Sequence, residues 1–414
     1  MLIVANLLAA QKQAPIDTAQ VITSYRVNAP QTFNKPYVIL ISSDGFRYDY
    51  IKKYKATHLQ QLAKDGVWAK KGMHPVFPSA TFPNHYSIAT GMYPATHGIV
   101  GNSFYDPQKD DMYYIGSPSV SDGSWYRGTP IWTLAEQQGM LSACLFWVGS
   151  ESDAGGMRPT YWYRYHEQFN DDDKIHIVKS WLTLPESERP HLITLYFPEV
   201  DRMGHIHGPD APETEAAVHF IDKAIQKLVD ELAPLNLPVN YIFVSDHGMI
   251  GLDEKDFIPL SNHDYEHFTT IYSRTLVSLT AKNIKDVLPV YQWLKHQKPK
   301  DYKVYLASDV PEKLHYSTRE DKSRRIGDII LIPNGNKIFG RSNAKRPNGH
   351  HGYDPHVVPE MKATFLAFGP AFKTKKKICS FENIHIYPLI AEMLDLKITN
   401  PIDGDIKVLK KILK

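Results

Sequence analysis

The sequence predicts an α/β protein with a mostly parallel central sheet flanked by helices, and two observations support this fold class. Three segments have the continuous apolar character of strands that are covered on both faces: YVILISSDGF, HLITLYFPEVD and NYIFVSDHGM. Between them lie helical patterns such as TPIWTLAEQQGM and ETEAAVHFIDKAIQKLVDEL. Strands that alternate with helices favour parallel pairing in one sheet.

The first strand, YVILISSDGF, is followed by a short helix, for which Pro83 suits the first position and Gly91 the end. The helix in ETEAAVHFIDKAIQKLVDEL carries one apolar stripe, which includes Ala217, Ile221 and Leu228. This stripe predicts a helix that packs on the sheet.

A region of different composition interrupts this pattern. Residues 255–345 are richer in Tyr, Lys and His and contain short strand-like pieces such as RIGDIILIP. An apolar composition typical of a buried core returns in ATFLAFGPAF and in the helical pattern IHIYPLIAEMLDL. The sequence therefore predicts a catalytic domain formed by residues 35–254 and 346–405, with a smaller cap subdomain inserted at 255–345.

The composition is that of an ordinary globular protein. The 414 residues are 43% hydrophobic and 22% charged, with a formal net charge of +2, so the chain can bury a large core. This charge gives no reason to expect a stable nucleic-acid partner. Cys144 and Cys379 lack ligand-like spacing, which excludes a cysteine-rich zinc site. The sequence leaves open whether they pair and how many copies of the chain associate.

The opening segment, MLIVANLLAAQKQAP, is an apolar run that ends in small residues. It resembles the tail of a secretory signal without the positively charged start, and the alternative is a buried terminal segment. No other run stays apolar for the ~20 residues that a membrane-spanning helix needs. We therefore expect a signal remnant at residues 1–15, no transmembrane segment, and a periplasmic or secreted protein.

Each of the three apolar runs leads to an aspartate, namely Asp44, Asp201 and Asp246. Ligands of open α/β sheets bind beyond the carboxyl ends of the strands, so we expect these carboxylates at one rim. His205 follows Asp201 by four residues, which puts both on one face of a helical turn. His247 and Asp246 can reach one ion only if the strand has ended. For each motif alone, a turn or a surface ion pair is the alternative.

Two further histidines, His350 and His351, lie between glycines in GHHGYDP. A solvated histidine-rich loop is the alternative to metal ligation here. Together the motifs supply carboxylates and imidazoles without thiolates, which is typical of a catalytic metal site with open positions. Because these donors are too many for one zinc, the sequence predicts two Zn²⁺ ions that clamp the attacking and leaving oxygens of a displacement.

The stretch HPVFPSATFPNHYSIATGMYP places Thr81 at the start of the short helix. The free amides and positive dipole of that helix end could receive a phosphate. The alternative is an N-cap threonine that serves only the helix backbone. Beside a zinc site, however, a hydroxyl can lose its proton near neutral pH, which makes Thr81 the candidate nucleophile.

In this order, DGFR, TFPNHYSIATGMYPATHGI, GN, DRMGHIHGP, SDHGM and GHHGYDP resemble the motifs of the nucleotide pyrophosphatase/phosphodiesterase family of the alkaline phosphatase superfamily. The resemblance covers roughly residues 35–405 and implies an alkaline-phosphatase-like fold. It implies a zinc-dependent hydrolase that cleaves phosphodiester or pyrophosphate bonds of small nucleotides. The implied route passes through a covalent threonyl phosphate and releases a nucleoside monophosphate.

The resemblance also implies roles for individual residues. The ligands of one zinc would be Asp201, His205 and His351, the last chosen over His350 because the family pattern reads GxHGxD. The ligands of the other would be Asp44, Asp246, His247 and the Thr81 oxygen. Asn102, which would otherwise be interpreted as a turn residue, would stabilise a phosphoryl oxygen together with the Thr81 N–H.

For the base of the nucleotide, the resemblance implies two stacking aromatic residues. One is Phe82, directly after the candidate nucleophile. The other falls in RPTYWYRY, where Trp162 is the best candidate. The alternative for this aromatic run is packing in the core or at its edge.

Other activities remain open at this point. The same ligands would serve a phosphomonoesterase, a phosphonate hydrolase or a lysophospholipid-type phosphodiesterase. A formylglycine-type sulfatase is excluded, because neither cysteine stands in CxPxR. A catalytically silent, secreted metal-binding protein is less favoured, because none of the motifs is broken.

Overall fold

The computed structural model describes residues 18–259, 265, 267–297, 299–340 and 346–414. The predicted signal remnant at 1–15 lies outside the described residues. The strands are β1 (Val21–Ile22), β2 (Tyr37–Ser43), β3 (Val67–Trp68), β4 (Ser103–Asp106), β5 (Asp111–Tyr114), β6 (Ser142–Leu145), β7 (Tyr161–Tyr163), β8 (Leu192–Phe197), β9 (Val239–Val244), β10 (Ile250–Gly251), β11 (Phe257–Pro259), β12 (Phe268–Tyr272), β13 (Val277–Ala281), β14 (Tyr302–Leu306), β15 (Ile329–Pro333), β16 (Ile338–Gly340), β17 (Gly349–His350), β18 (Phe365–Phe368) and β19 (Lys376–Lys377). The α-helices are α1 (Tyr50–Lys53), α2 (Thr57–Asp65), α3 (Thr81–Thr90), α4 (Pro94–His97), α5 (Ile131–Gln137), α6 (Asp171–Leu182), α7 (Glu199–His207), α8 (Pro212–Leu232), α9 (Val287–His296), α10 (Ile386–Leu394) and α11 (Ile406–Leu409).

A nine-stranded sheet forms the centre of the fold, in the order β1-β7-β6-β8-β2-β9-β18-β3-β19. The strands from β7 to β9 in this order pair in parallel. Beyond them, β18 pairs antiparallel with β9 and β3, and β1 pairs antiparallel with β7. The predicted α/β fold with a mostly parallel sheet is confirmed, and the antiparallel strands lie outside its parallel centre.

Side chains that alternate along the central strands fill one core on each face of the sheet. On β2, Ile39 and Ile41 pack in a cluster with residues of α6 and α8. Val38 and Leu40 point the other way and pack in a cluster with residues of α5 and α10. Because both faces are buried, the strands are apolar at successive positions, which explains the runs in the sequence.

A separate four-stranded antiparallel sheet, β12-β13-β15-β14, lies within residues 255–345. Leu276 and Tyr316 of this region join an apolar cluster with Phe104 of β4. The Tyr316 hydroxyl also donates a hydrogen bond to the carbonyl of Val100 at 2.9 Å. The segment therefore packs against the loop that leads to Asn102, and its assignment as a cap subdomain stays a prediction.

Two further features bear on the sequence predictions. Cys144 is buried on β6, Cys379 is exposed, and the two form no disulfide. Within the described ranges, no helix combines the length and the apolar character that crossing a bilayer would require.

Candidate active site

The ends of neighbouring strands bring acidic residues to one rim of the central sheet. Asp44 directly follows β2, and Asp246 lies two residues beyond the end of β9, which pairs with β2 in parallel. Asp201 lies in the first turn of α7, which follows β8. The prediction that Asp201 and His205 share a helical face is confirmed, since His205 Nε2 lies 3.5 Å from Asp201 Oδ2.

Gly45 allows the loop after β2 to pass close to α7. Its φ is +66°, and an added Cβ would lie 2.9 Å from both Cα and Cβ of Asp201. Its backbone N–H donates to Asp246 Oδ1 at 3.1 Å. A residue with a side chain would have to displace Asp201 from this position.

Acidic and imidazole groups from these loops converge into three overlapping groups, in each of which the possible ligand atoms lie within 4.8 Å of one another. The three groups are Asp44, Asp246 and His247; Asp201, His247 and His351; and His205, His350 and His351. The rings of His247 and His351 stack with 3.6 Å between centroids. The structure therefore brings together every aspartate and histidine predicted from the sequence as a metal ligand, and it adds His350, for which His351 had been preferred.

Backbone carbonyls orient three of these histidines. Their Nδ1 atoms lie 2.8 Å from the Gly349 oxygen for His205, 2.8 Å from the Ser79 oxygen for His351, and 2.9 Å from the Gly248 oxygen for His247. Donation from Nδ1 leaves a lone pair on Nε2, which is the atom nearest the carboxylates. This arrangement is typical of histidines that bind a metal.

The carboxylates of Asp44 and Asp246 are buried, that of Asp201 is half-buried, and all three are incompletely paired. Oδ1 of Asp44, Oδ1 of Asp201 and Oδ2 of Asp246 have no hydrogen-bond partner in the part of the chain that the structure describes. Burial raises the pKa of Asp44 well above its usual value, and the Asp246 and Asp201 carboxylates raise it further. Burial also raises the pKa of Asp201. Burial opposes ionisation of Asp246, but His247 and His85 hold its pKa at about 2.

Carboxylates buried this close together need positive charge nearby to remain ionised. The unpaired oxygens and the oriented imidazole nitrogens would satisfy a divalent transition metal, which accepts mixed oxygen and nitrogen ligands. The residues present therefore fit the metal site that the sequence predicts.

Two residues beside these groups were not assigned a role at the site from the sequence. The Tyr196 hydroxyl donates to Asp44 Oδ2 at 2.6 Å. His85 places Nδ1 2.9 Å from the Thr81 carbonyl oxygen and 3.5 Å from Asp246 Oδ2. A tyrosine inside an apolar strand carries no distinguishing pattern that would reveal such a role.

Thr81 is the first residue of α3, and Ala80 is the N-cap. The helix thus begins two residues before Pro83, so the predicted start at Pro83 is wrong, whereas the predicted end at Gly91, with φ 68°, is confirmed. The N-cap alternative for Thr81 does not fit this structure, because Ala80 occupies the N-cap position and Thr81 follows it. Instead, Thr81 Oγ lies 3.5 Å from His247 Nε2, so the hydroxyl faces the group of possible ligands.

Asn102 and Phe82 are connected beside the candidate nucleophile. The Phe82 N–H donates to Asn102 Oδ1 at 2.9 Å. Because the oxygen of this amide is engaged, Asn102 presents its NH₂ group as a donor. The Phe82 ring is half-buried and lies edge-on to Tyr113, with 6.1 Å between centroids.

Trp162 is not brought to this site. It lies on β7, is 5% exposed, and packs in the core cluster on the α10 side of the sheet. The prediction that Trp162 stacks on a base does not fit this position, because an enclosed ring has no free face. In the same segment, Tyr165 is 44% exposed, and its ring lies 6.1 Å from that of Tyr196.

Comparison with known proteins identifies relatives along most of the chain. Residues 38–354 match the family model described as type I phosphodiesterase/nucleotide pyrophosphatase. A venom phosphodiesterase of Macrovipera lebetinus is 35% identical over 393 residues, which cover 91% of this chain and 45% of that protein. Human ectonucleotide pyrophosphatase/phosphodiesterase family member 1 is 35% identical over 389 residues, which cover 89% of this chain and 41% of that protein. The chain thus spans about half the length of the curated relatives it matches.

Solved structures show the same fold. Murine ectonucleotide pyrophosphatase/phosphodiesterase 5, as an inactive threonine-to-alanine variant in complex with AMP, has a TM-score of 0.85 and 28% identity, covering 92% of this chain and 100% of that chain. The human ectonucleotide pyrophosphatase/phosphodiesterase 5 has a TM-score of 0.84 and 30% identity, and the match covers 91% of this chain and 99% of that chain. These similarities confirm the predicted alkaline-phosphatase-like fold.

Proposed function

Because this chain belongs to the type I phosphodiesterase/nucleotide pyrophosphatase family, we propose that it is a zinc-dependent hydrolase of phosphodiester or pyrophosphate bonds in nucleotides and releases a nucleoside monophosphate. One observation carries the proposal: a threonine hydroxyl at a helix N-terminus faces the converging histidines and aspartates, 3.5 Å from His247. The AMP bound to the murine relative supports a nucleotide substrate. The venom relatives support a secreted protein, and a periplasmic location is the alternative.

We assign one zinc ion to Asp201, His205 and His351, whose side-chain atoms approach one another at 3.1 to 3.7 Å. We assign a second to Asp44, Asp246, His247 and Thr81. Bound zinc would lower the pKa of the threonine hydroxyl and offset negative charge on the attacking and leaving oxygens.

The chain's own groups then account for two steps. Thr81 releases its hydroxyl proton to water as Oγ forms a bond to phosphorus, the bond to the leaving oxygen breaks, and that oxygen keeps the electron pair and takes a proton from water. A water oxygen next bonds to phosphorus, and Thr81 Oγ leaves and regains a proton. The Asn102 NH₂ group and the Thr81 backbone N–H, at the start of α3, donate to the phosphoryl oxygens. We assign Phe82 and Tyr165 to the base, because both present aromatic surface near these groups.

The threonine assignment can be tested by replacing Thr81 with alanine. We expect turnover of p-nitrophenyl thymidine 5'-monophosphate to fall by at least about 1,000-fold, with zinc content by elemental analysis unchanged, because the other proposed ligands remain. Thr81→Ser, which keeps a hydroxyl, is the matched control and should retain measurable turnover. Full activity in Thr81→Ala would refute the nucleophile. Chelation should abolish turnover of the natural chain, and added zinc should restore it.

The substrate class can be tested with two substrates that share one leaving group. We expect p-nitrophenyl thymidine 5'-monophosphate, a diester, to be cleaved with a kcat/KM at least about tenfold above that of p-nitrophenyl phosphate. Equal or reversed values would indicate a phosphomonoesterase. Lysophosphatidylcholine, assayed in parallel, would reveal a lipid-cleaving activity if its kcat/KM exceeded that of the nucleotide diester.

A further inference from the structure

A cavity of about 170 Å³ lies between the candidate active site and the four-stranded sheet. Asn102, His205 and His351 line it from the side of the active site, and Ile271 and Leu276 line it from the inserted segment. We propose that this cavity receives the leaving group of the substrate and selects an uncharged organic alcohol over pyrophosphate. This inference rests on the function proposed above and specifies the chemical class of the substrate's leaving group.

The position of the cavity relative to Thr81 supports a leaving-group site. Thr81 Oγ faces His247, whereas His205 and His351, at the other end of the overlapping groups, line the cavity. In an in-line displacement at phosphorus, the attacking and leaving oxygens lie on opposite sides. A phosphorus atom attacked from the His247 side would therefore direct its leaving oxygen toward His205, His351 and the cavity beyond them.

The lining of the cavity is mainly apolar. Ile271, Leu276, Phe104 and Tyr316 are all less than 9% exposed and contribute carbon surface. The charged side chain of the lining is Arg325, and its guanidinium is already engaged. It binds the Asp106 carboxylate at 2.8 Å and donates to two backbone carbonyls. A pyrophosphate would bring several negative charges against carbon surface and an already neutralised arginine, which is unfavourable.

His350 adds a polar group to this lining. It lies on β17 beside His351, and neither of its ring nitrogens has a hydrogen-bond partner among the residues that the structure describes, although both are buried. A buried imidazole without partners is costly unless a ligand satisfies it. A polar atom on the leaving alcohol would supply the partner, while the carbon skeleton contacts Ile271 and Leu276.

The experiment fills the cavity and varies the leaving group on one nucleotide. The substrates are the methyl and p-nitrophenyl esters of thymidine 5'-monophosphate, because methanol is too small to reach deep into the cavity. We expect Ile271→Trp to lower kcat/KM at least about tenfold for the p-nitrophenyl ester and to leave the methyl ester within about twofold of the natural chain. Leu276→Phe, a smaller change, should act in the same direction. It keeps the proposal testable if Ile271→Trp misfolds.

Tyr272→Trp is the matched control, because Tyr272 is the next residue of β12 and is 42% exposed. It should leave both esters unchanged. Inhibition by thymidine 5'-monophosphate should also be the same in Ile271→Trp and the natural chain, because the product lacks the leaving group. His350→Phe should lower kcat/KM for the p-nitrophenyl ester about fivefold through loss of one hydrogen bond, with zinc content unchanged.

For the natural chain, thymidine 5'-triphosphate should give a kcat/KM at least about tenfold below that of the p-nitrophenyl ester, although the two leaving groups are similarly acidic. Equal sensitivity of both esters to Ile271→Trp, insensitivity of both, weaker product inhibition, or preference for the triphosphate would overturn the leaving-group site. Absence of hydrolysis of every nucleotide ester by the natural chain would instead overturn the proposed function, so the two failures can be told apart.

Discussion

At the scale of single residues, the possible metal ligands depend on neighbours that touch no ion themselves. The Tyr196 hydroxyl donates to one Asp44 oxygen and leaves the other without a hydrogen-bond partner among the described residues. Hydrogen bonds of this kind fix the orientation of a ligand and tune its affinity for metal. Tyr196 is thus a positioning residue for the Asp44 carboxylate.

We predict that Tyr196→Phe lowers zinc affinity about tenfold, because Asp44 loses the hydroxyl that orients it. Competition with a chromogenic chelator would measure the change. Tyr161→Phe is a matched control: Tyr161 and Tyr196 are 7% and 8% exposed, and the Tyr161 hydroxyl donates to the Glu188 carbonyl at 2.9 Å, away from the site. Unchanged affinity in Tyr196→Phe, or an equal loss in the control, would contradict the positioning role.

The residues that the sequence predicted best are those whose place follows from a strand end. Asp44 and Asp246 follow apolar runs, and the carboxyl ends of parallel strands share one rim. His351 comes from a loop more than 100 residues farther along the chain, where its residue type and flanking glycines made it a candidate ligand together with His350, and only the family pattern chose between the two. Tyr196 could not be predicted, because its role depends on which neighbours face it after folding.

At the scale of elements, patterns longer than a few residues predicted structure well. The apolar runs became β2, β8 and β9, since a strand covered on both faces has no polar side. The short run YWY became β7 with Trp162 on a buried face. Three aromatic residues carry no signal of which face meets solvent, so the position of Trp162 was beyond sequence reasoning.

The loop after β2 passes close to Asp201, and this approach can be tested at Gly45. Gly45→Ala should lower the zinc-dependent turnover at least about tenfold, because the new Cβ would meet the Asp201 backbone at 2.9 Å and shift a proposed ligand. Gly335→Ala is the control, since Gly335 has a similar φ of +63° and nothing within 4 Å of an added Cβ.

Both variants should lose about 1 kcal/mol of unfolding free energy from the positive φ alone. Only Gly45→Ala should lose turnover and zinc affinity, as measured by steady-state kinetics and elemental analysis. If Gly335→Ala lost as much turnover as Gly45→Ala, backbone strain rather than the approach to Asp201 would explain the effect.

At the scale of the whole molecule, a buried ion pair joins the segment that carries the four-stranded sheet to the region around the candidate nucleophile. Arg325 is 4% exposed and Asp106 of β4 is 1% exposed. The guanidinium also donates to the carbonyls of Gly98 and Trp125 at 2.8 and 2.5 Å. Gly98 ends α4, the helix that follows α3. One side chain therefore joins the segment that carries the four-stranded sheet, the β4 strand and the end of α4, which follows the helix that carries Thr81.

This arrangement predicts opposite outcomes for two adjacent arginines. Arg325→Leu should lower the unfolding free energy by about 3 to 5 kcal/mol, because it leaves the Asp106 carboxylate buried without its counter-charge. Arg324→Leu should cost at most about 1 kcal/mol, because Arg324 pairs with Asp328 at the surface, where its side chain is 46% exposed. Urea unfolding followed by tryptophan fluorescence would measure both.

The same pair of variants tests whether the segment that carries the four-stranded sheet acts as part of the site. Arg325 lines the cavity beside Asn102 and His351, so its loss should also loosen the wall that Ile271 and Leu276 form. We expect Arg325→Leu, assayed below its unfolding transition, to show a larger loss of kcat/KM for the p-nitrophenyl ester than for the methyl ester. Arg324→Leu should keep the kcat/KM of the natural chain for both esters. If Arg325→Leu were destabilised but kept the natural ratio of kcat/KM for the two esters, the ion pair would stabilise the fold without shaping the site.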